Sequence, residues 1–324
     1  MNARDLLTPV KKGSIFFAPL EGITDENFRK LILRLYPEWD YLACDFLRAP
    51  GAGRYPSKHL IKHFGKELFQ KPEIQAKTMY QILTSYTAYT DDLVKDLNHL
   101  QVPWLDINLG CPAARVCGHG GGSSLLKDLT PLRPLIKSIR ENFQGRFSAK
   151  IRVGYSDDKN FEECIHMLNE EGVELITVHG RTRDQLYKEP ANWKYIKRAV
   201  EISKVPIVGN GDIWETNDIN RMFEETGCHA VMVARGALKS PWMAQDFRNQ
   251  IFFEKESERL EKIKFFFSEY KKMLEESGVT PKGLMKQSKS MARFMFDTPS
   301  TADLRRALLL TPTAEDFFKV INQI

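Results

Sequence analysis

Cysteine is scarce in this sequence. Five residues in 324 (Cys44, Cys111, Cys117, Cys164 and Cys228) are scattered, odd in number and without a CxxC pair. Such usage excludes a disulfide framework and leaves no ligand set for structural zinc or an iron–sulfur cluster, so no metal is expected. Cys111 and Cys117 are the one pair close enough in sequence to suggest thiol–disulfide exchange. Long apolar runs are missing too: none approaches the roughly 20 residues of a membrane span. The opening MNARDLLTPVKKGSIFF lacks the apolar core and small-residue cleavage site of a signal peptide. A cytoplasmic protein with no membrane partner is the expectation. The net charge of +5 is only mildly basic and permits an anionic partner without requiring one.

Short β-rich runs alternate with helical patterns up to about residue 245. The strand candidates are SIFFAP (14–19), WDYLACD (39–45), IQAKTMYQIL (74–83), WLDINLG (104–110), SAKIRVG (148–154), ELITVHG (174–180), VPIVGNG (205–211) and HAVMVARG (229–236). Amphipathic stretches such as DENFRKLILRLY and TNDINRMFEETG lie between them. Eight strand-then-helix units predict an α/β fold, a (β/α)8 TIM barrel. An open doubly wound sheet would carry GxGxxG after its first strand, where this chain reads APLEG. From about Ser240 only helical patterns remain, predicting a barrel over 1–240 and a C-terminal all-helical domain over 241–324. In PKGLMKQSKSMARFMF, Lys282, Lys286, Lys289 and Arg293 share one helical face. Leu284, Met291, Phe294 and Met295 point the other way. A solvated surface face explains such a stripe. Six basic against two acidic residues in 277–310 also suit a phosphate backbone.

Catalytic groups of a barrel gather at the carboxyl ends of its strands. Here those ends are polar: Gln81, then Asp106 and Asn108, then Lys150 and Arg152 alternating with Ile151 and Val153, then His179 and Arg181. Burying Lys150 without a partner would cost several kcal/mol (roughly). Either an interior network satisfies these groups, or a polar ligand sits over the barrel mouth. The last two strands end in GNGDI and ARGAL. Their glycines let backbone N–H groups approach phosphate oxygens, and Arg235 adds a cation. A phosphate at one edge of a polar mouth suggests FMN or a sugar phosphate.

The segment NLGCPAARVCGHGGG (108–122) places Cys111 between Gly110 and Pro112. Proline biases Cys111 toward extended backbone, and Gly110 clears space for a flat ligand. A free thiol with a pKa of about 8.5 is mostly protonated near neutrality and can serve as a general acid. The following HGGGSSLL lacks the GK[ST] ending of a Walker loop. A buried inert cysteine is the plainer alternative.

Taken together, APLEGITD, QIL, DINLGCP followed by GGGSSLLKD, AKIRVGY, HGRTRDQLY, GNGDIW and ARGAL resemble, in order, the tRNA-dihydrouridine synthases. GGGSSLLKD, GDIW and the glutamate of APLEG are most similar to the bacterial DusC branch. The resemblance implies FMN contacts at Pro19, Leu20 and Glu21, and flavin-ring contacts at Gln81, Lys150 and His179. It implies phosphate loops at Asn210, Gly211, Asp212, Ala234 and Arg235. Cys111 is implied as proton donor, and Arg48 (in DFLR), Asn108 and Tyr187 as groups near the uridine or its tRNA. Leu20 stands where the family commonly has methionine, and Ala234 where glycine is common. The helical domain matches only loosely, with Lys286, Lys289 and Arg293 its candidate tRNA contacts. The implied reaction is reduction of a D-loop uridine, position 16 in the DusC branch, driven by NADPH through FMN. Hydride goes to C6 of the base, and a proton from Cys111 goes to C5. Three rival readings use parts of the pattern: an FMN barrel for a small molecule, such as a dihydroorotate dehydrogenase; a non-enzymatic tRNA-binding protein; and an aldolase with Lys150 as Schiff-base nucleophile.

Overall fold

The computed structural model describes residues 3–85 and 89–324. Alternating inward and outward side chains along parallel strands build its centre. The strands are β1 (Ser14–Phe17), β2 (Leu42–Ala43), β3 (Leu47–Arg48), β4 (Thr78–Leu83), β5 (Trp104–Leu109), β6 (Arg146–Gly154), β7 (Leu175–Thr182), β8 (Ile207–Asn210) and β9 (Ala230–Val233). They pair in the order β1-β9-β8-β7-β6-β5-β4-β2, with β3 also on β4. A bridge from Phe16 to Tyr41 joins the two ends. Two short pieces, β2 and β3, share one barrel position, so the chain forms the expected (β/α)8 barrel with a C-terminal helical region.

Between strands run α1 (Glu26–Leu35), α2 (Ser57–Phe64), α3 (Pro72–Gln75), α4 (Tyr89–His99), α5 (Ala114–Cys117), α6 (Leu132–Asn142), α7 (Phe161–Glu170), α8 (Trp193–Ile202) and α9 (Thr216–Thr226). After β9 come α10 (Arg235–Lys239), α11 (Met243–Arg248), α12 (Glu256–Glu276), α13 (Pro281–Met295), α14 (Ala302–Leu310) and α15 (Ala314–Asn322). Local chemistry sets the helix ends. Asp25 caps α1 by accepting from Phe28 N, and Gly227 closes α9 at φ 69°.

Several strands differ from their expected bounds. In IQAKTMYQIL the first residues belong to α3, which Pro72 opens at its first turn, and pairing starts only at Thr78. In WDYLACD only Leu42–Ala43 pair in a ladder. Trp39 turns outward instead, its ring 5.0 Å from Phe17 and its Nε1 donating to Pro241 O at 2.8 Å. HAVMVARG stops pairing at Val233, since Arg235 already lies in α10.

Strand parity divides the apolar residues into two cores. Outward residues such as Ile15, Phe17, Ile107, Ile151 and Val231 join one large core with the helices, and it continues into α12, α13 and α15. Inward residues Phe16, Tyr41, Met79, Trp104, Leu175 and Val208 plug the amino-terminal end of the barrel as a separate cluster. Phe28 of α1 meets Tyr270 of α12 edge-on at 6.4 Å. Truncating such a buried ring to alanine removes about 3–5 kcal/mol. Above the apolar plug, the inward positions turn polar.

Candidate active site

Register brings the polar residues into layers. Gln81, Asp106 and Ser148 are neighbours across β4, β5 and β6. Asn108 pairs with Lys150, and Arg152, His179, Asn210 and Met232 follow one another from β6 to β9. Over the upper layer opens a cavity of ≈ 590 Å³, within the range of about 300–1,000 Å³ usual for ligand sites.

Each element contributes to its wall. The end of β1 supplies Pro19, Leu20 and Glu21; β5 and its loop supply Asn108 and Cys111; β6 supplies Lys150; β7 and its loop supply His179 and Tyr187. Asn210, Gly211 and Asp212 close one side with Ala234 and Arg235. Sequence reasoning therefore brought most of its candidates to one place. Arg48 stands just outside, its guanidinium 5.3 Å over Phe46 and 3.9 Å from Glu21, both of which line the cavity.

Two of the expected residues stand apart from the cavity wall and from the open helix face. Gln81 is fully buried and does not line the cavity: its amide is engaged one layer down, between Asp106 (2.7 Å) and Asn108 (2.9 Å). Lys289 does not share an open cationic face with its neighbours, because its Nζ donates to Thr311 O at 2.6 Å, at the end of α14. Lys282, Lys286 and Arg293 are exposed on α13, away from the cavity wall.

Backbone bonds hold Cys111 in place. Its N–H donates to Asn108 Oδ1 at 2.8 Å, and its carbonyl accepts from Ser123 N and Oγ at 3.2 and 2.8 Å. Gly122, at φ 58°, passes so close that a Cβ there would lie 2.9 Å from Cys111 O. Burial, with Glu21 and Cys117 nearby, raises the Cys111 thiol above its ordinary range, so it stays protonated at neutral pH. Cys111 and Cys117 are both free thiols, and Cys117 Sγ faces Cys111 O at 3.6 Å.

The opposite wall is cationic. Lys150 Nζ donates to Asn210 Oδ1 at 2.9 Å, and burial and Arg152 lower its pKa to about 8. Burial, Lys150 and three arginines hold His179 well below its usual value, in the neutral form. Arg181 NH1 lies 3.2 Å from His179 Nε2. A guanidinium only donates, so Nε2 accepts and the imidazole proton resides on Nδ1. Arg181 is held in turn by Asp212 at 2.6 Å. Arg235 lies between two rings, 4.3 Å from Tyr187 and 4.6 Å from Trp214, while Arg152 sits 5.3 Å from Tyr187 on β6.

Arg152 lines the cavity beside Lys150, as do Arg183, Phe46 and Trp214, which lie beyond the expected set. Arg152 shares strand parity with Lys150, and Trp214 completes GDIW, so both carried a usable signal. Phe46 carried none. Among the described residues, no group of three or more His, Cys, Asp or Glu is placed to hold a metal, and no helix is long and apolar enough to cross a membrane.

Fold and site together define a (β/α)8-barrel enzyme whose protonated thiol faces a cation-lined cavity at the carboxyl ends of the strands. The chain belongs to the dihydrouridine synthase family: the family model described as dihydrouridine synthase (Dus) matches residues 16–321. It is similar to a probable tRNA-dihydrouridine synthase of Helicobacter pylori, 33% identical over 240 residues, covering 72% of this chain and 70% of the relative. A tRNA-dihydrouridine(16) synthase of Ralstonia nicotianae is 31% identical over 254 residues, 73% of each chain. A probable tRNA-dihydrouridine synthase of Aquifex aeolicus aligns over 320 residues at 28% identity, 97% of this chain and 96% of the other. The enzyme class is thus that of the tRNA-dihydrouridine synthases, which are oxidoreductases.

Proposed function

We propose that this enzyme uses FMN and NADPH to reduce the C5–C6 double bond of uridine 16 in the D-loop of tRNA. The position rests on likeness to the relatives named for residue 16. The observation that carries the chemistry is the Cys111 thiol in the wall of a cationic cavity of suitable volume.

The cavity suits an FMN-sized anion. Glycines shape the turns at its phosphate side: a Cβ on Gly211 would lie 2.6 Å from His179 Cδ2, and one on Gly236 would lie 2.1 Å from Ile213 O. Asn210, Gly211, Asp212, Ala234 and Arg235 would hold the phosphate end, and Pro19, Leu20, Glu21, Lys150 and His179 the flavin ring. Gln81 would support that ring from below, through Asn108. When bound, the flavin supplies the hydride that adds to C6. Cys111 holds the proton delivered to C5, and its raised pKa keeps that proton on Sγ near neutrality. Lys150 opposes negative charge that develops in the cavity. His179 offers Nδ1–H as a neutral donor. Asn108, Tyr187 and Arg48 would meet an extruded uracil and its flanking backbone at the mouth. Residues 241–324 would act as a tRNA-binding domain, with Lys286 and Arg293 on phosphates and Lys289 as a structural tie.

Absorbance spectroscopy without oxygen tests the reading. A bound flavin should bleach with NADPH and regain its colour only when unmodified tRNA is added. Recovery with a small enone or quinone instead would refute the substrate, and failure to bind flavin even after reconstitution would refute the redox chemistry.

A further inference from the structure

Beneath the cavity, one hydrogen-bonded chain crosses three strands. Trp104 Nε1 donates to Ser148 Oγ (2.9 Å), whose hydroxyl donates to Asp106 Oδ1 (2.5 Å). From the other side, Gln81 Nε2 donates to Asp106 Oδ2 (2.7 Å) and Asn108 Nδ2 donates to Gln81 Oε1 (2.9 Å). Asn108 Oδ1 then accepts the backbone N–H groups of Gly110 (3.1 Å) and Cys111 (2.8 Å). Trp104, Gln81, Asp106 and Ser148 are buried, none of them more than 1% exposed.

Both ends of this chain are one-way donors, because an indole N–H and a backbone N–H cannot accept. Some member in the middle must therefore accept from both sides, and a carboxylate does so. Its charge fixes which way the Gln81 amide faces, and Gln81 fixes Asn108. Were Asn108 reversed, its NH2 would meet the N–H groups of Gly110 and Cys111, donor against donor, and the loop would be pushed away.

We propose that Asp106, acting through Gln81 and Asn108, is the positioning residue that sets the Cys111 loop over the cavity. The proposal rests on the reading of Cys111 as proton donor and adds how the barrel interior holds that donor in register. Asp106 touches neither substrate nor cofactor. Misplacing a reacting group by about 1 Å costs on the order of a hundredfold in rate, so the chain should govern kcat more than binding.

Two variants test it. Gln81→Met cuts the chain without adding charge. Gln81→Glu can rebuild it while one proton is shared: the new side chain, when protonated, donates to Asp106 and accepts from Asn108. Two carboxylates at that separation cannot both ionise at low cost. Burial raises Asp106 above the ordinary carboxylate range, while its bonds from Ser148 and Gln81 and the charge of Lys150 on the neighbouring strand act the other way. In Gln81→Met, kcat on tRNA per flavin-loaded enzyme should fall about a hundredfold. Alkylation of Cys111 by iodoacetamide, followed by peptide mass mapping, should rise several-fold as the loop loosens. Gln81→Glu should keep most activity at low pH and lose it as pH rises, on a limb that falls below the alkaline decline of the wild type. A packing role would give no such pH-dependent rescue.

Wild-type alkylation and kcat in Gln81→Met, or a Gln81→Glu profile parallel to wild type, overturns the proposal. Loss of flavin with Cys111 alkylation unchanged also overturns it, by making Gln81 a cofactor contact. If the wild-type enzyme leaves tRNA unreduced, the functional reading fails, yet the alkylation rates still decide whether this chain positions Cys111.

Discussion

Replacing Lys150 by methionine should separate stability from function in a direction that is easy to measure. Burial, reinforced by Arg152, moves this lysine from its ordinary 10.5 to about 8. At about 1.4 kcal/mol per tenfold change, that is about 3 kcal/mol of preference for the neutral amine in the folded, flavin-free protein. Below pH 8 the folded state carries the whole penalty. Between pH 8 and the ordinary value the unfolded chain binds more protons, so stability rises with pH. Methionine removes the penalty but leaves Asn210 Oδ1 without its donor, which costs about 1–3 kcal/mol. Urea unfolding of the flavin-free proteins should show Lys150→Met between equal to wild type and about 2 kcal/mol more stable at pH 7. At pH 10.5 the comparison should shift by about 3 kcal/mol in favour of wild type. Turnover should fall by about 10²–10³ from the loss of a preorganised cation. A variant clearly less stable at pH 7, or a difference that is the same at both pH values, would refute the assignment of Lys150 as a cation whose desolvation outweighs its bond to Asn210.

The remaining predictions concern the thiol, the phosphate turn and the helical region. Cys111→Ala should retain bound flavin yet lose about 10²–10⁴ in turnover on tRNA. Because burial raises the wild-type thiol, kcat should stay flat through neutrality and decline only at alkaline pH, as Sγ gives up its proton. Gly211→Ala should weaken flavin binding, measured by titration, since a Cβ at φ 111° would press on His179. Changing Lys286 and Arg293 to glutamine should weaken tRNA binding and reduce the slope of log Kd against log salt by about 2, while flavin affinity is unchanged.

Much of the barrel was legible because its signals are local. Strand parity in SAKIRVG places Lys150 and Arg152 inside and Ile151 and Val153 outside, and the structure keeps that alternation. The loops ending in GNGDI and ARGAL were found from their glycines, and both border the cavity. Strand ends were less legible where tertiary packing decides. Trp39 leaves its strand to pack on Phe17 and bond Pro241, a partner some 200 residues away. Gln81 illustrates the same limit inside the site. Its position on a strand facing the interior was readable, but its depth depends on the stagger between β4 and β5. Lys289 followed the helical period of its cationic neighbours, and only the approach of α14 turned its ammonium to a carbonyl. Phe46 reaches the cavity by the path of the chain between β2 and β3, which no periodicity marks.

The central claim is that this enzyme adds two hydrogens to one uridine of tRNA. Its most direct test is mass spectrometry of an unmodified tRNA incubated with flavin-loaded enzyme and NADPH, with nuclease fragments mapped along the sequence. The account predicts a gain of two hydrogens on the fragment containing uridine 16, dependent on NADPH and lost in Cys111→Ala. An unchanged tRNA from an enzyme that still oxidises NADPH would contradict it.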